Sequence, residues 1–300
     1  MAKEVFDILI TDPSGSYVDC TAGQGEHLTL MLAKLNADAS VTALDCDPLA
    51  IDTLTKKFAD EKRVKVVRGN FSSVKELAGE GQDGIFMDLG FSSTQVDGEG
   101  SVQISFKRSE ELDMRLDPST TLTAAGIVND WPEKEIARVL KENADERHAR
   151  RIAARIVRER QAQPFETTLQ LRNTVSAALA GVTGKWKKDP ATRTFLALRI
   201  EVNAEMENLR RGLEEGLAAL KSGGRLVVLT YHSGEDRLVK RMFRGWAAHQ
   251  EMLDERRGIT REVTPVAKDL TRKGLKPSER EVNENPRARS AVLRAIEKAA

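Results

Sequence analysis

The sequence predicts a doubly wound α/β fold that is interrupted by an all-helical insertion. In the first hundred residues, short apolar runs alternate with segments of helical periodicity, which is typical of parallel strands joined by helices. From about residue 104 the strand signal disappears, and Ala, Glu, Arg and Leu recur at helical spacing. We therefore predict an α/β domain over 1–103 and 192–300, with a helical insertion over 104–191.

Four apolar runs predict the first four strands, at 17–20, 41–45, 64–67 and 84–88. Helical patterns between them predict helices at 27–35 and 48–58. Parallel sheets of this kind bind their ligands at the carboxyl ends of the strands, so the residues that follow each strand are the first place to look for a site.

The insertion and the second half follow in order. In the insertion, helical segments are predicted to begin at 131–135, 147 and 167–170, and the segment 147–160 is strongly basic. We then predict a long helix over 194–220, ended by Gly223 and Gly224, a strand over 225–230 and a helix over 235–246. Residues 251–287 are predicted to be irregular, and 290–296 to form a final strand.

The amino-acid composition excludes several classes of protein. Of 300 residues, 40% are hydrophobic and 31% charged, which favours a soluble folded chain. No run approaches the roughly 18 apolar residues of a membrane helix, and the N-terminus has no signal-peptide core, so we expect a cytoplasmic protein. Cys20 and Cys46 are expected to be reduced thiols, and the histidine and cysteine spacing predicts no metal site.

Charge is spread unevenly along the chain. The net charge is +1, yet residues 256–300 hold twelve Lys and Arg against six Asp and Glu. A basic tail beside a mildly acidic body favours a polyanionic partner, although charge runs are also common on solvated surfaces.

Glycines and acids follow the predicted strands. Gly23 and Gly25 come after the first strand, and Asp45 ends the second, where an acid can accept hydrogen bonds from two ribose hydroxyls. Leu28 stands where a dinucleotide fingerprint has its third glycine, which disfavours NAD. S-adenosylmethionine has a ribose and an adenine but no phosphate. A site for this cofactor therefore tolerates leucine in place of the third glycine.

Two further residues follow the third and fourth strands. Phe71 can stack on an adenine ring or belong to the core. Asp88 lies where the reacting atoms of such a fold meet, or caps the following loop. The residue pattern alone leaves both pairs of alternatives open.

Six stretches of this chain resemble one family, the ribosomal RNA small-subunit methyltransferase H (MraW) family. They are DCTAGQGEH (19–27), MDLGFSSTQ (87–95), LDMRLDP (112–118), PATRTF (190–195), YHSGEDR (231–237) and NPRARS (285–290). The resemblance implies a Rossmann-like class I methyltransferase. Such an enzyme uses S-adenosylmethionine to methylate the N4 amine of a cytidine in the decoding region of small-subunit ribosomal RNA.

The resemblance also implies roles for individual residues. The expected cofactor-binding residues are Gly25, Glu26, His27, Asp45, Phe71, Asp88 and Gln95. Asp88 is the first candidate acceptor for the amine N–H. His232 is the second catalytic candidate, with a base-contacting or a structural role as alternatives. Glu26 departs from the family pattern, which has glycine at this position.

Basic and aromatic side chains are candidates for binding RNA. The main substrate-binding candidates are Arg115, Arg151, Trp186 and Arg193; further basic candidates are Arg147, Arg150, Arg155, Arg158, Lys185, Lys187 and Lys188. The expected partner is small-subunit ribosomal RNA or the assembled small subunit, with no membrane. The oligomeric state is left open, a homodimer included.

Two other hypotheses remain at this stage. One is a methyltransferase of the same fold that acts on another nucleic acid or on a small molecule. The other is a non-catalytic RNA-binding assembly factor that has lost cofactor use, which Glu26 motivates.

Overall fold

A seven-stranded sheet carries the strand ends at which the sequence predicts a site. The computed structural model describes residues 1–90, 109–117, 119–182, 189–254 and 259–300. Within these ranges the strands are β1 (Ser16–Asp19), β2 (Ser40–Asp45), β3 (Val64–Arg68), β4 (Gln82–Asp88), β5 (Leu220–Thr230), β6 (Gln250–Asp254), β7 (Ile259–Glu262), β8 (Ala267–Asp269) and β9 (Val292–Lys298).

The strand order is β3-β2-β1-β4-β5-β9-β8. Strands β1 to β5 are parallel, whereas β9 runs antiparallel to β5 and β8 antiparallel to β9. The chain moves outward from β1 to β2 and β3, and then returns to the other side of β1 to form β4. Such a reversal opens a crevice at the carboxyl ends of β1 and β4. The predicted α/β class is confirmed.

Some helices of the described residues precede or connect these strands, and the others form the insertion. They are α1 (Ala2–Leu9), α2 (Glu26–Leu32), α3 (Pro48–Lys57), α4 (Val74–Ala78), α5 (Ala124–Asp130), α6 (Glu133–Ala144), α7 (Ala149–Arg160), α8 (Thr168–Ala178), α9 (Thr192–Val202), α10 (Glu205–Ala219), α11 (Ser233–Trp246) and α12 (Glu279–Glu284).

The chain divides into two units. The first comprises Met1–Gly90 and Met206–Ala300 and contains the sheet; the second comprises Phe91–Glu205. In the first unit, alternate residues of each strand point to opposite faces, so Phe86 packs in one hydrophobic cluster while Ile85 and Met87 pack in another. Both faces of the sheet are therefore covered.

The second unit has its own core, formed by buried residues between Leu112 and Val202. Its helices begin at recognisable caps: the Thr123 hydroxyl accepts a hydrogen bond from the backbone of Gly126, and Thr167 forms a capping box with Gln170. Helix α9, which the sequence analysis grouped with the α/β domain, contributes to this core. The boundaries at 103/104 and 191/192 stay predictions.

The prediction of one long helix over 194–220 is wrong. The chain breaks it into α9 and α10, because Ala204 adopts a positive φ of 47° and the Asn203 side chain donates hydrogen bonds to the carbonyl oxygens of Met114 and Arg199, both at 2.9 Å. The glycine stop is also misplaced, since α10 ends at Ala219 and Gly223 lies inside β5.

The segment 251–287, predicted to be irregular, contains regular elements. Strands β6 and β7 pair as a separate antiparallel hairpin, β8 forms the sheet edge, and α12 is a short helix. These elements are short and charged, so they lack the apolar periodicity that reveals a buried strand or helix. Among the described residues, no helix combines the length and the apolar character that crossing a membrane requires.

Candidate active site

The connection from β1 to α2 is a tight turn that favours glycine. Gly23 and Gly25 have positive φ angles of 50° and 74°. A Cβ atom on Gly25 would also overlap the side chains of Phe58 and Leu54. Position 25 therefore requires glycine, and the backbone turns there at the carboxyl end of β1.

Asp45 ends β2 beside this turn. Its Oδ2 accepts a hydrogen bond from the Gly23 N–H at 2.9 Å, and its Oδ1 accepts one from the Asp47 N–H at 2.9 Å. Burial raises the pKa of Asp45 above its usual value, against the opposing effect of hydrogen bonds from the backbone of Asp47, Gly23 and Cys46. A carboxylate has about four acceptor directions, so Asp45 keeps capacity to accept from a ligand hydroxyl.

Asp19, at the end of β1, is a site residue to which the sequence analysis gave no role. Its side chain is fully buried, and Oδ1 accepts a hydrogen bond from the Thr21 N–H at 3.2 Å. Its Oδ2 has no hydrogen-bond partner among the described residues. Burial raises the pKa of Asp19 to about 7. The available signal was its position, an acid at the end of the strand where the sheet reverses.

Asp88 ends β4, next to β1. Its N–H donates to the Thr21 hydroxyl oxygen at 2.8 Å, and its Oδ1 accepts from the Gly90 N–H at 3.1 Å. Its Oδ2 lies 3.4 Å from Nδ1 of His27, and 16% of its side chain is exposed. The carboxylate is thus held on several sides while one part of it remains open.

Tyr231 is a second residue that the sequence analysis did not single out. It directly follows β5, the strand paired with β4. Burial, the charge of Asp88 and a hydrogen bond to Asp88 raise the pKa of Tyr231 well above its usual value. The phenol therefore stays protonated and donates to the Asp88 carboxylate. Its place after a neighbouring parallel strand was the signal for it.

His27 lies in the first turn of α2, and two aromatic rings pack around it. The ring centroids of Phe86 and Phe6 lie 5.2 and 6.2 Å from that of His27, both in edge-to-face arrangements. The imidazole is therefore held beside Asp88. Glu26, which precedes it, is exposed, so its side chain is not committed to the core.

His232 is positioned as the N-cap of α11. Its Nδ1 accepts from the N–H groups of Gly234 and Glu235 at 3.2 and 3.4 Å, and the Glu235 carboxylate accepts from the His232 N–H in return. Its Nε2 lies 3.1 Å from Glu235 Oε1 but makes no hydrogen bond with any described residue. The capping geometry gives His232 a structural role, and its catalytic role stays a prediction.

Phe71 begins a short 3-10 turn after β3, in which the Asn70 side chain accepts from the Ser72 N–H. Its ring packs so closely on Gly212 of α10 that a Cβ atom there would overlap it. The ring is only half-buried. Both sequence alternatives therefore remain, and adenine stacking stays a prediction.

The predicted RNA-binding arginines lie in the second unit. Arg115 pairs with Asp113 and donates to the Thr120 carbonyl oxygen, so its guanidinium is largely used within the unit. Arg151 and Arg193 are both exposed, and each donates to one backbone carbonyl oxygen, at 3.0 and 3.2 Å. The remaining predicted residues that lie outside the described ranges are Gln95, Lys185, Trp186, Lys187 and Lys188.

Comparison with known proteins decides the family. A family model described as the MraW methylase family matches residues 1–299. The chain belongs to the MraW methylase family. A ribosomal RNA small subunit methyltransferase H from Symbiobacterium thermophilum is 42% identical over 303 residues, covering 99% of this chain and 95% of that protein. The protein of the same name from Methylococcus capsulatus is 42% identical over 308 residues, covering 100% of both chains.

MraW membership confirms the sequence resemblance, the expected methyltransferase class and S-adenosylmethionine as the expected cofactor. The residues of the crevice fit this cofactor. The glycine turn lies at the carboxyl end of β1, the Asp45 carboxylate is an acceptor suited to ribose hydroxyls, and the buried Asp19 Oδ2 is a polar atom that lacks a partner among the described residues. These groups come from β1 and β2, while Asp88 comes from the adjoining β4.

Proposed function

We propose that this protein methylates the N4 amine of a cytidine in the decoding region of small-subunit ribosomal RNA. The names of its full-length relatives support the RNA class. The observation that carries the chemistry is the Asp88 carboxylate at the end of β4. Backbone groups, the Thr21 hydroxyl and Tyr231 hold it beside the glycine turn.

The cytosine amine is a weak nucleophile because its lone pair is delocalised into the ring. When bound, S-adenosylmethionine supplies an electrophilic methyl group. Asp88 accepts a hydrogen bond from the amine N–H, which localises electron density on the nitrogen, and it would take up this proton as the amine becomes methylated. Alignment of the amine nitrogen with the methyl carbon can contribute about 7–11 kcal/mol at best.

Tyr231 supports Asp88 in this role. Because the raised pKa of Tyr231 keeps its hydroxyl protonated, the phenol donates to the carboxylate instead of competing with it as an acceptor. The Asp88 N–H is fixed separately through the Thr21 hydroxyl. The carboxylate therefore has a defined orientation before the base arrives.

We propose that α7 contributes to RNA binding. Its buried face consists of Ala149, Ile152, Ala153 and Ile156, whereas Arg150, Arg151 and Arg158 are exposed. Arg147, two residues before the helix, is also exposed. Binding through phosphates weakens as salt rises, and the target base must leave its stack to reach Asp88. Cytoplasmic location and a homodimer stay predictions.

The test is methyl transfer to unmethylated small ribosomal subunits with methyl-deuterated S-adenosylmethionine, followed by nucleoside mass spectrometry. We expect labelled N4-methylcytidine with the native protein and at least a hundredfold less with Asp88→Asn. Asp7→Asn is the matched control, since Asp7 is an exposed carboxylate on α1.

The outcomes separate the three hypotheses. Label on a different nucleoside, or on none while cofactor binding persists by calorimetry, favours a methyltransferase with another substrate. Absence of both label and cofactor binding favours the non-catalytic assembly factor. Full activity in Asp88→Asn would show that the Asp88 carboxylate is not needed for methyl transfer.

A further inference from the structure

Helix α11 joins the site to an arginine-bearing surface of the first unit. It begins immediately after His232 and Tyr231, at the carboxyl end of β5. Its buried residues are Leu238, Val239 and Phe243. Its exposed positions are Ser233, Arg237, Arg241, Arg244 and Gly245. The arginines recur at spacings of four and three residues, so they share one helix face.

This face is positive and carries no acid of its own. The two acidic residues of α11 are used elsewhere: Glu235 accepts from the Tyr231 N–H at 2.8 Å, and Asp236 pairs with the buried Arg294 at 2.7 Å. Within the described part of the chain, Arg241 and Arg244 have neither an ion pair nor a hydrogen bond.

Several other arginines of the first unit are, by contrast, paired with acids. Arg63 pairs with Glu61, Arg210 with Glu207 and Glu214, and Arg225 with Glu297. The helix dipole favours a cation in the last turn by about 0.3–1 kcal/mol, which accounts for Arg244. It does not account for Arg241, which lies earlier in the helix.

The composition of the face selects the kind of partner. None of its exposed positions is apolar, whereas a protein partner usually needs an apolar centre to its interface. Guanidinium groups instead match phosphate oxygens in charge and in fork geometry. At 1.5 Å per residue, Arg241 lies about 14 Å along the helix from His232, a few nucleotides away from a base held at Asp88.

We propose that Arg241 and Arg244 bind the phosphate backbone of the RNA substrate a few nucleotides from the target cytidine. The proposal rests on the proposed function, because it assumes that the substrate is RNA. It adds a second RNA-binding surface, on the catalytic unit itself, to the arginines of α7.

The test compares R241Q/R244Q with the matched double variant K3Q/R210Q. Lys3 and Arg210 are solvent-accessible cations that pair with acids of their own helices, and neither lies in the basic tail, so the control loses the same charge. Binding to a transcript of small-subunit ribosomal RNA is measured across a salt series. Methylation of unmethylated subunits gives kcat and KM, and calorimetry gives S-adenosylmethionine affinity.

We expect R241Q/R244Q to bind the transcript about tenfold more weakly at low salt, with a slope of log K against log salt reduced by about 1.4. KM for subunits should rise while kcat and cofactor affinity stay at the control's values. A salt slope and KM equal to those of K3Q/R210Q would overturn the proposal. If the native protein methylates no cytidine, the proposed function fails, and the salt slope still decides whether this face binds RNA.

Discussion

At the scale of single residues, the buried carboxyl of Asp19 makes stability depend on pH. Its pKa is about 7 in the folded protein, against about 3.9 in an unfolded chain. Between these values the folded state keeps a proton that the unfolded state has released. Stability therefore falls as pH rises from about 4 through 7, and it is level above that range.

We expect Asp19→Asn to remove this loss in the cofactor-free protein. Asparagine keeps an acceptor for the Thr21 N–H and cannot ionise. The stability advantage of the variant over the native protein should grow between pH 5 and pH 8, by on the order of 1–3 kcal/mol. Urea unfolding at both pH values measures this, with Asp7→Asn as control. A difference between variant and native protein that is the same at both pH values would contradict the assignment.

Thr21 is a positioning residue, because its hydroxyl accepts from the Asp88 N–H without facing the substrate. Thr21→Val keeps the shape and loses this acceptor, so we expect kcat to fall about tenfold with little change in cofactor affinity. Thr21→Ser should restore most of kcat. Steady-state methylation kinetics provide the measurement. If Thr21→Ser had a kcat as low as that of Thr21→Val, the hydroxyl would not be the group that supports catalysis.

The sequence predicts some of the candidate site residues but not the others, and the reason is physical. Asp45 and Asp88 stand out because each ends an apolar run. The partnership of Tyr231 with Asp88 depends on β5 lying beside β4, although more than a hundred residues separate them in the chain. The orphaned oxygen of Asp19 likewise depends on burial by the completed sheet. The local sequence pattern predicts neither this contact nor this burial, because both depend on residues that are distant in the chain.

At the scale of elements, α2 is held by a residue from outside the helix. The guanidinium Nη1 of Arg63 donates to the carbonyl oxygens of Leu32, Leu35 and Asn36, at 3.1, 2.9 and 3.3 Å. Glu61 orients the same guanidinium. A helix of seven residues is marginal by itself, and this cap supports the turn that places His27.

Arg63→Met should therefore destabilise the protein by about 1–3 kcal/mol, because it leaves carbonyl oxygens at the end of α2 without their charged donor. Urea unfolding gives the free energy, and hydrogen exchange should show lost protection concentrated in α2. Arg210→Met, which breaks only exposed pairs on α10, is the control and should cost less than 1 kcal/mol. Equal losses in both variants would show that the cap adds nothing.

Element boundaries were predictable where local chemistry sets them. Thr167 and Gln170 form the capping box that opens α8, at the place the sequence indicated. The break between α9 and α10 was not predictable, because helical periodicity continues across it. It is fixed by Asn203, whose side chain reaches the backbone of Leu116 and Met114, nearly ninety residues earlier.

At the scale of the whole molecule, the two units differ in how they are encoded. The first unit is discontinuous, and its central strand β4 pairs with β1 on one side and with β5, encoded after the second unit, on the other. The second unit is continuous, and every buried residue of its core lies between 112 and 202. Continuity should let the second unit fold without the rest of the chain.

We expect a fragment of residues 109–205 to be helical by circular dichroism and to melt cooperatively, because it contains every buried core residue that the structure describes in this unit and its own helix caps. A fragment of residues 1–90 should not, since it exposes the edge of β4 and lacks the helices α10 and α11 that cover one face of the sheet. Leu140→Ala in the first fragment should lower its melting temperature or unfold it, as expected when a buried side chain is cut back. A non-cooperative melt of the native fragment would mean that its core needs the first unit to form.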